Sequence, residues 1–145
     1  MAPNRIREAR PDDIEALASI DPITTSDSKR RDAIGGWLTT ETCLVAESAD
    51  GEVIGFVALS HDFFDQGFVR LVFVSQGHRR VGLGMELLAS AELRCHTSKL
   101  FTSTNASNVS AQALFERAGF VRSGVVENLD EGDPEIVYFK RVTRI

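Results

Sequence analysis

The sequence predicts an α+β domain in which helices cover a mixed, mostly antiparallel β-sheet. Three features of the chain lead to this fold class. Residues 68–74 are almost all apolar and β-branched or aromatic, as in a strand that is covered on both faces. A turn and a helix that begins with two glycines follow this strand directly. Two further strand-like segments flank Asp50-Gly51, which is a strong hairpin signal.

The N-terminal part of the chain predicts one strand and two helices. The strand covers residues 4–9, and Asp12 caps a helix whose apolar residues recur at helical spacing. Pro22 ends this helix. A second helix covers about residues 26–38, and the pair Gly35-Gly36 weakens its end.

The rest of the chain alternates strands and helices. The predicted strands are 42–47, 53–60, 68–74, 100–104, 120–126 and 136–141, and the predicted helices begin near Met85 and at Asn108. The last two strands form a hairpin around a long acidic loop. No repeat, low-complexity tract or linker divides the chain, so we expect one domain over residues 1–145.

Composition and charge exclude several classes of function. The chain has 145 residues, of which 43% are hydrophobic and 26% charged, as expected of one globular domain. The net charge of -5 argues against binding to nucleic acid or to an anionic membrane. No apolar run approaches about 18 to 20 residues and the start lacks the apolar region of a signal peptide, so we expect a cytoplasmic protein. Cys43 and Cys95 lack metal-ligand spacing, so we expect buried thiols and no metal.

The strongest motif is the string R-R-V-G-L-G, which begins at Arg79 and opens the helix after the buried strand. Because Gly82 and Gly84 have no Cβ, an anion can approach the free N–H groups of the first helical turn, where the helix dipole favours negative charge. Arg79 and Arg80 add positive charge there. The string is not a P-loop, because no G-K-S/T follows, and it lacks the third glycine of the dinucleotide fingerprint. It therefore predicts a site for a pyrophosphate.

The same string resembles the acetyl-CoA-binding signature R/Q-x-x-G-x-G/A of the GNAT family of N-acetyltransferases. Arg79, Gly82 and Gly84 occupy its three fixed positions. Residues 108–120 are similar to a later motif of that family, N-x-x-A-x-x-L-Y/F-x-x-x-G-F. The resemblance implies a GNAT-like sheet of about seven strands, splayed between strands four and five and flanked by about four helices. It also implies that acetyl-CoA is the co-substrate.

The helix-start pattern and the resemblance together give the predicted coenzyme contacts. They are Phe73, Val74, Arg79, Arg80, Val81, Gly82, Leu83, Gly84, Met85, Asn108 and Phe115. The resemblance further implies that the backbone N–H of Val74 donates to the thioester oxygen, a role worth about 3 to 4 kcal/mol. The chain departs from the family at Phe115, where a tyrosine commonly serves as general acid. The single tyrosine of the chain, Tyr138, is then a candidate acid in the last strand.

A general base must take a proton from an alkylammonium whose pKa is near 10. Glu127 is the candidate, because it follows an apolar strand where partial burial would raise its pKa toward a useful range. We expect Asn128 and Asp130 in the same acidic loop to orient the amine. Phe63 and Phe64, before the buried strand, are expected to form another wall of the acceptor site.

Together these features predict an acetyl-CoA-dependent N-acetyltransferase that moves an acetyl group to a primary amine of a small molecule or peptide. Direct transfer in a ternary complex is expected because neither cysteine has the surroundings of an activated thiol. The alternative is a non-catalytic acyl-CoA sensor or scaffold of the same fold, which Phe115 supports. The acidic loop favours a cationic acceptor. The sequence leaves open the amine's identity, a longer acyl donor and a homodimer.

Overall fold

The computed structural model describes residues 4–21, 27–79 and 82–142, which form seven β-strands and four α-helices. The strands are β1 (Arg5–Glu8), β2 (Thr42–Glu47), β3 (Val53–Phe63), β4 (Gln66–Val74), β5 (Lys99–Asn105), β6 (Val121–Val126) and β7 (Glu135–Arg141). The helices are α1 (Ile14–Ile20), α2 (Ser28–Thr40), α3 (Leu83–Leu93) and α4 (Val109–Arg117). The predicted order of strands and helices is confirmed.

All seven strands join in one sheet with the order β1-β2-β3-β4-β5-β7-β6. β4 and β5 run parallel, and every other neighbouring pair is antiparallel. This is the mixed, mostly antiparallel sheet that the sequence predicts. The last strand, β7, lies inside the sheet, and the two edge strands of the sheet are β1 and β6. None of the described helices is long and apolar enough to cross a membrane.

The parallel strands β4 and β5 pair over a short stretch and then separate. Residues 67–69 of β4 pair with residues 100–102 of β5, although β4 continues to Val74 and β5 to Asn105. Thr102 closes this paired end, because its Oγ1 donates a hydrogen bond of 3.0 Å to the carbonyl of Val69. Beyond it the sheet opens into a gap between the second halves of the two strands.

A β-bulge at Arg70 marks the start of this gap. Leu59 and Ala58 are consecutive in β3, but their partners in β4 are Val69 and Leu71, so Arg70 is an extra residue. A bulge bends its strand and re-aims the side chain of the extra residue. Arg70 accordingly points to the face of the sheet that α2 covers.

Two apolar clusters fill the space between the sheet and its helices. One lies under α3 and α4, where Leu87, Leu88 and Phe115 are buried. The other lies under α1 and α2, where Leu17 and Ile34 are fully buried. Each such aliphatic side chain contributes about 1.5–3 kcal/mol to stability. The gap therefore connects the two sides of the sheet. We call the side covered by α3 and α4 the α3–α4 face and the side covered by α1 and α2 the α1–α2 face.

The connection between β3 and β4 differs from its predicted structure. The sequence predicts a loop there, but β3 continues to Phe63 and β4 begins at Gln66. The two residues between them, Phe64 and Asp65, have φ values of 51° and 65°. Positive φ values at both central residues are typical of a tight type I′ hairpin turn. The sequence did not reveal this turn because neither position holds the usual glycine or asparagine.

Ion pairs fix the start of α1 against β1 and β2. Arg7 donates to both carboxylate oxygens of Asp13 at 3.0 Å, and its Nε donates to Glu47 at 2.9 Å. Asp13 also accepts a hydrogen bond of 2.7 Å from the backbone N–H of Arg10. Burial alone would raise the pKa of Asp13, but the hydrogen bonds from Arg7 and Arg10 outweigh burial and lower this pKa. The charged network thus holds the helix that leads to Asp21.

Candidate active site

A cavity of about 980 Å³ occupies the gap in the sheet. Its lining combines the open halves of β4 and β5 and the first turns of α3 and α4 with Asp21 and Arg30 from the α1–α2 face. This volume is within the usual range for sites that hold small molecules and cofactors. In the part of the chain that the structure describes, no group of three or more His, Cys, Asp or Glu side chains is placed to hold a metal ion.

The N-terminus of α3 forms the wall of the cavity on the α3–α4 face. Gly82 precedes the helix with a φ of 82°, a left-handed conformation that favours glycine. Glu86 N–H donates to the Gly82 carbonyl at 3.1 Å in the first helical hydrogen bond. The preceding N–H groups, those of Leu83, Gly84 and Met85, therefore have no partner within the helix. Such a row of free donors at the positive end of a helix dipole is suited to an anion.

Gly84 has a packing role in addition to the one that the sequence suggests. A Cβ added at Gly84 would lie 3.2 Å from both δ-carbons of Leu114 in α4. A larger residue would therefore push α3 and α4 apart. The glycine keeps both helix N-termini close to the same cavity.

Backbone groups of β4 face the gap. Ser75 N–H donates to the Ile54 carbonyl of β3 at 2.8 Å, and successive residues of a strand direct their N–H groups to opposite sides. The N–H groups of Val74 and Val72 therefore point away from β3 and into the gap. The exposed Arg79 lines the cavity and donates from Nε to the Val74 carbonyl at 3.3 Å. A ligand oxygen in the gap can thus reach the Val74 N–H.

The other predicted coenzyme contacts are placed as follows. Asn108 caps α4, because its Oδ1 accepts a hydrogen bond of 3.1 Å from the N–H of Ala111, and it lines the cavity. Phe115 lines the cavity and is 3% exposed, and Phe73 lines it from the α1–α2 face. The two remaining predicted contacts, Arg80 and Val81, lie outside the described residues.

Glu135 and Ser103 form a hydrogen-bonded pair on the other side of the gap. Ser103 Oγ donates to Glu135 Oε2 at 2.6 Å, and both residues line the cavity. Glu135 begins β7, and the next residue, Ile136, belongs to the cluster under α3 and α4. Because neighbouring residues of a strand face opposite sides, Glu135 faces the α1–α2 side. A carboxylate at this position can accept a proton from an amine in the gap.

Two arginines also line the α1–α2 side of the cavity. Arg30 of α2 donates from Nε to Asp21 Oδ2 at 3.0 Å, and Asp21 lines the cavity as well. Arg70, at the bulge, donates from Nη2 to Asp62 Oδ2 at 2.6 Å, and the same Nη2 lies 3.4 Å from Glu41 Oε1. Both guanidinium groups are therefore held in place by carboxylates on the α1–α2 side of the gap.

The three residues of the acidic loop to which the sequence assigns a role do not reach the cavity. Glu127, Asn128 and Asp130 are all exposed and are absent from its lining among the described residues. Glu127 follows β6, whose residues are exposed throughout, and is itself exposed, so it lacks the partial burial that the sequence predicts. Asp130 instead accepts a hydrogen bond of 2.8 Å from Asn105 Nδ2 and so holds the loop against β5.

The predicted aromatic wall lies at the closed end of the β4 and β5 pair. Phe63 stacks against Phe68 at 4.8 Å between ring centroids and lies 5.1 Å from Phe101. Phe64 is 85% exposed in the hairpin turn. Neither Phe63 nor Phe64 is among the described residues that line the cavity. The extension of β3 and β4 into a regular hairpin places both rings away from that lining.

Tyr138, the candidate acid, lies under the α3–α4 face. Its side chain is fully buried, and its ring centroid lies 5.5 Å from that of Phe115, which does line the cavity. Its hydroxyl has no hydrogen-bond partner within the described residues. An unpartnered buried hydroxyl is unfavourable by about 1–3 kcal/mol, which sets this residue apart from an ordinary packing tyrosine.

Neither cysteine is placed for catalysis. Burial, together with the charge of Glu41, raises the pKa of Cys43 to about 12. Cys95 is fully buried, with its Sγ against the backbone of Gly67. In the described part of the chain, neither residue contributes to the cavity. Because only a thiolate is an effective nucleophile, a covalent acyl-cysteine has no support here.

The protein-family model described as the acetyltransferase (GNAT) family matches residues 11–120, and these residues make up most of the chain. The chain belongs to the GNAT family. The matched segment contains the gap, the N-terminus of α3 and all of α4. No curated protein sequence matches this GNAT chain.

Solved GNAT structures share its fold from end to end. A GNAT-family acetyltransferase from Bacillus cereus ATCC 10987 is 36% identical with a TM-score of 0.89, covering 99% of this chain and 100% of that chain. Ard1 from Thermoplasma volcanium is 21% identical with a TM-score of 0.81, covering 99% and 100%. Salmonella typhimurium yncA, whose structure contains its cofactor acetyl-CoA, is 20% identical with a TM-score of 0.77, covering 99% and 96%.

Sequence reasoning did not single out the charged residues on the α1–α2 side of this GNAT cavity. They are Asp21, Arg30, Arg70 and Glu135. Arg70 does leave a signal, because a charged residue inside an otherwise apolar strand indicates a bulge or a functional position. Glu135 leaves a weaker one, as the polar residue that opens the apolar strand β7 directly after Pro134. Asp21 and Arg30 stand in no motif, and only the fold brings them to the gap.

Proposed function

We propose that this chain is an acetyl-CoA-dependent N-acetyltransferase that moves an acetyl group to a primary amine of a small molecule or peptide. The observation that carries the proposal is the gap between β4 and β5, with free backbone donors on one side and the Glu135–Ser103 pair on the other. A donor and an acceptor that enter from opposite faces would meet inside this gap. The yncA structure with acetyl-CoA supports the choice of donor.

The described residues fit a coenzyme along β4 and against the start of α3. The N–H groups of Leu83, Gly84 and Met85 would hold its diphosphate, with Arg79 beside them. When bound, the coenzyme supplies an acetyl group activated as a thioester. The Val74 N–H points into the gap and would donate to the acetyl oxygen, where one fixed donor lowers the barrier by about 3 to 4 kcal/mol.

We propose Glu135, in place of Glu127, as the general base. Glu135 lines the cavity and accepts a hydrogen bond from Ser103, whereas Glu127 is exposed outside it. The Glu135 carboxylate would accept the proton that the attacking ammonium must lose, and Ser103 would keep the carboxylate oriented toward the gap. A positioned base of this kind typically contributes about 10²–10⁴-fold to the rate.

Direct transfer from donor to amine agrees with the state of the two thiols. Cys43 has a raised pKa and Cys95 is fully buried, so neither offers a nucleophile. Phe115 has no proton to give to the departing thiol. A thiol with a pKa near 8.5 leaves readily, so the reaction needs less acid catalysis than one with a poorer leaving group. Tyr138 stays the candidate acid.

Calorimetry with acetyl-CoA and a free-thiol release assay over a panel of primary amines test the proposal. We expect acetyl-CoA to bind and thiol to be released only when an amine is present. Binding without release for every amine would favour the acyl-CoA sensor that Phe115 suggests, and absence of binding would contradict both functions. The same assay with longer acyl donors tests the pocket formed by Phe73, Val74 and Phe115. A cytoplasmic location stays a prediction, and a homodimer stays open.

A further inference from the structure

We infer that the acceptor carries an anionic group, such as a carboxylate, near its amine, and that Arg30 and Arg70 bind this group. The inference rests on the proposed function, since it concerns the acceptor side of the same gap. It replaces the cationic acceptor that the acidic loop suggests. A small zwitterion with the chemistry of an amino acid is the ligand class that fits.

The position of the two arginines separates them from the coenzyme. Arg30 belongs to α2, and the Arg70 guanidinium lies 5.7 Å from the centre of the Trp37 ring, which also belongs to α2. The diphosphate site at the start of α3 lies on the opposite face of the sheet and has Arg79 beside it. The coenzyme phosphates therefore do not account for Arg30 and Arg70.

Both arginines keep donors available to the cavity. A guanidinium has five N–H donors, and the described hydrogen bonds occupy Nε in Arg30 and Nη2 in Arg70. The side chains of Arg30 and Arg70 are 23% and 28% exposed, and both line the cavity. Their partners hold each guanidinium in place before a ligand arrives, which reduces the entropy lost on binding.

The balance of charge on this side of the cavity matches a zwitterion. Asp21 and Glu135 bring two carboxylates to the lining, and Arg30 and Arg70 bring two guanidinium groups. The carboxylates that bind Arg70, Glu41 and Asp62, are not among the described residues of the lining. A polyamine would meet the partly exposed guanidinium groups with like charge, whereas a zwitterion places its amine at Glu135 and its anion at the arginines.

The acidic loop does not offset this arrangement. Asp133 accepts hydrogen bonds from the Ser107 backbone N–H at 2.9 Å and from the Ser107 hydroxyl at 2.6 Å, and Asp130 accepts one from Asn105. These carboxylates hold the loop against the end of β5 and the segment that follows it. Their charge is therefore used in the fold rather than presented to an acceptor in the gap.

The test compares matched acceptors in the thiol-release assay. Each α-amino acid of a panel is paired with its carboxamide, which has nearly the same size and keeps the amine but lacks the negative charge. We expect kcat/KM for the best amino acid to exceed that for its carboxamide by about 10- to 100-fold, the usual worth of a charge-assisted hydrogen bond. In Arg30→Gln and Arg70→Gln this ratio should fall toward one.

Arg31→Gln is the matched control, because Arg31 lies on the same helix but pairs with Glu15 and is not among the described cavity residues. It should keep the ratio of the unaltered protein. Equal turnover of amino acids and carboxamides by the unaltered protein would overturn the inference and leave the proposed function intact. Acetyl-CoA binding without thiol release for any amine would overturn the proposed function itself. A ratio that is unchanged in both folded arginine variants would overturn the assignment of the anion to these residues.

Discussion

The two walls of the gap are built in different ways. On the α3–α4 face, the donors are backbone N–H groups of β4 and α3, which lie close together in the chain. On the α1–α2 face, the groups are side chains from five separate segments, namely Asp21, Arg30, Arg70, Ser103 and Glu135. The first wall depends on the conformation of one strand–turn–helix unit, and the second depends on the whole fold. A site made of backbone atoms therefore leaves a local motif, whereas a site made of distant side chains does not.

Glu135→Gln should give the largest effect, because it removes the proposed base from the side-chain wall and leaves the backbone wall intact. We expect kcat to fall by about 10²–10⁴-fold with little change in the affinity for acetyl-CoA. Steady-state kinetics and calorimetry measure the two quantities separately. Glu127→Gln is the control, since Glu127 is exposed outside the cavity. A loss of turnover in Glu127→Gln alone would return the base to the acidic loop.

Asp13→Asn should weaken the attachment of α1 to β1, which supports the side-chain wall. The change leaves the partly buried Arg7 with one carboxylate fewer, and we expect the free energy of unfolding to fall by about 3 kcal/mol. Urea denaturation measures this fall, and Asp12→Asn, at an exposed neighbouring position, is the control. A fall below about 0.5 kcal/mol, the usual effect of an exposed substitution, would show that the pair adds nothing to stability.

The same carboxyl predicts how stability depends on pH. The pKa of Asp13 is lower in the folded protein than the unfolded value of about 3.9, so the folded state binds fewer protons there. Its contribution is therefore complete above about pH 5 and is lost as the pH falls through the folded pKa. Asp13→Asn should remove this part of the acid dependence, and identical acid profiles for the two proteins would contradict the assignment.

Arg79→Ala tests the backbone wall. Because the helix N–H groups remain, we expect a moderate effect, a rise of about tenfold in the KM for acetyl-CoA with kcat changed less. Arg94→Ala, just beyond the other end of α3, is the matched control, because it removes a positive charge far from the proposed diphosphate site. An unchanged KM in Arg79→Ala would count against a contact with the diphosphate.

Tyr138→Phe should raise stability. The substitution removes a buried hydroxyl that has no partner in the described part of the protein, so the free energy of unfolding should increase by about 1 kcal/mol. Thermal denaturation measures this change, and the kcat of the same variant tests the candidate acid. A fall in kcat together with higher stability would support proton transfer from Tyr138, and a fall in stability would show that the hydroxyl is bonded, for example to a buried water.

Replacing both Cys43 and Cys95 with alanine should have the smallest effect on catalysis. Both thiols are buried, and the Cys43 pKa of about 12 keeps that thiol protonated at neutral pH. We expect kcat to remain largely unchanged in the folded double variant, as thiol-release kinetics would measure. Loss of activity without unfolding would contradict direct transfer.

The sequence predicted what local patterns encode. The buried strand 68–74, the glycine turn at Gly82 and the helix that Asn108 caps are each specified by neighbouring residues, and the structure contains all three. The sequence placed the acceptor site at the acidic loop, because composition shows how much charge a segment carries but not which way its side chains face. The exposed strand β6 carries Glu127 away from the gap, whereas strand alternation turns Glu135 toward it. That difference depends on sheet register, which the sequence pattern left undetermined.

The separation of β4 from β5 has a consequence for the motions of the sheet. The amides of Phe73 in β4 and of Ser75, directly after β4, are directed to β3, while those of Val72 and Val74 are directed to the open gap. Neighbouring amides of one strand should therefore exchange their hydrogens with solvent at very different rates. A ligand bound in the gap would make these exchange rates alike. Protection from exchange that alternates along the strand therefore reports on whether the gap between β4 and β5 is occupied.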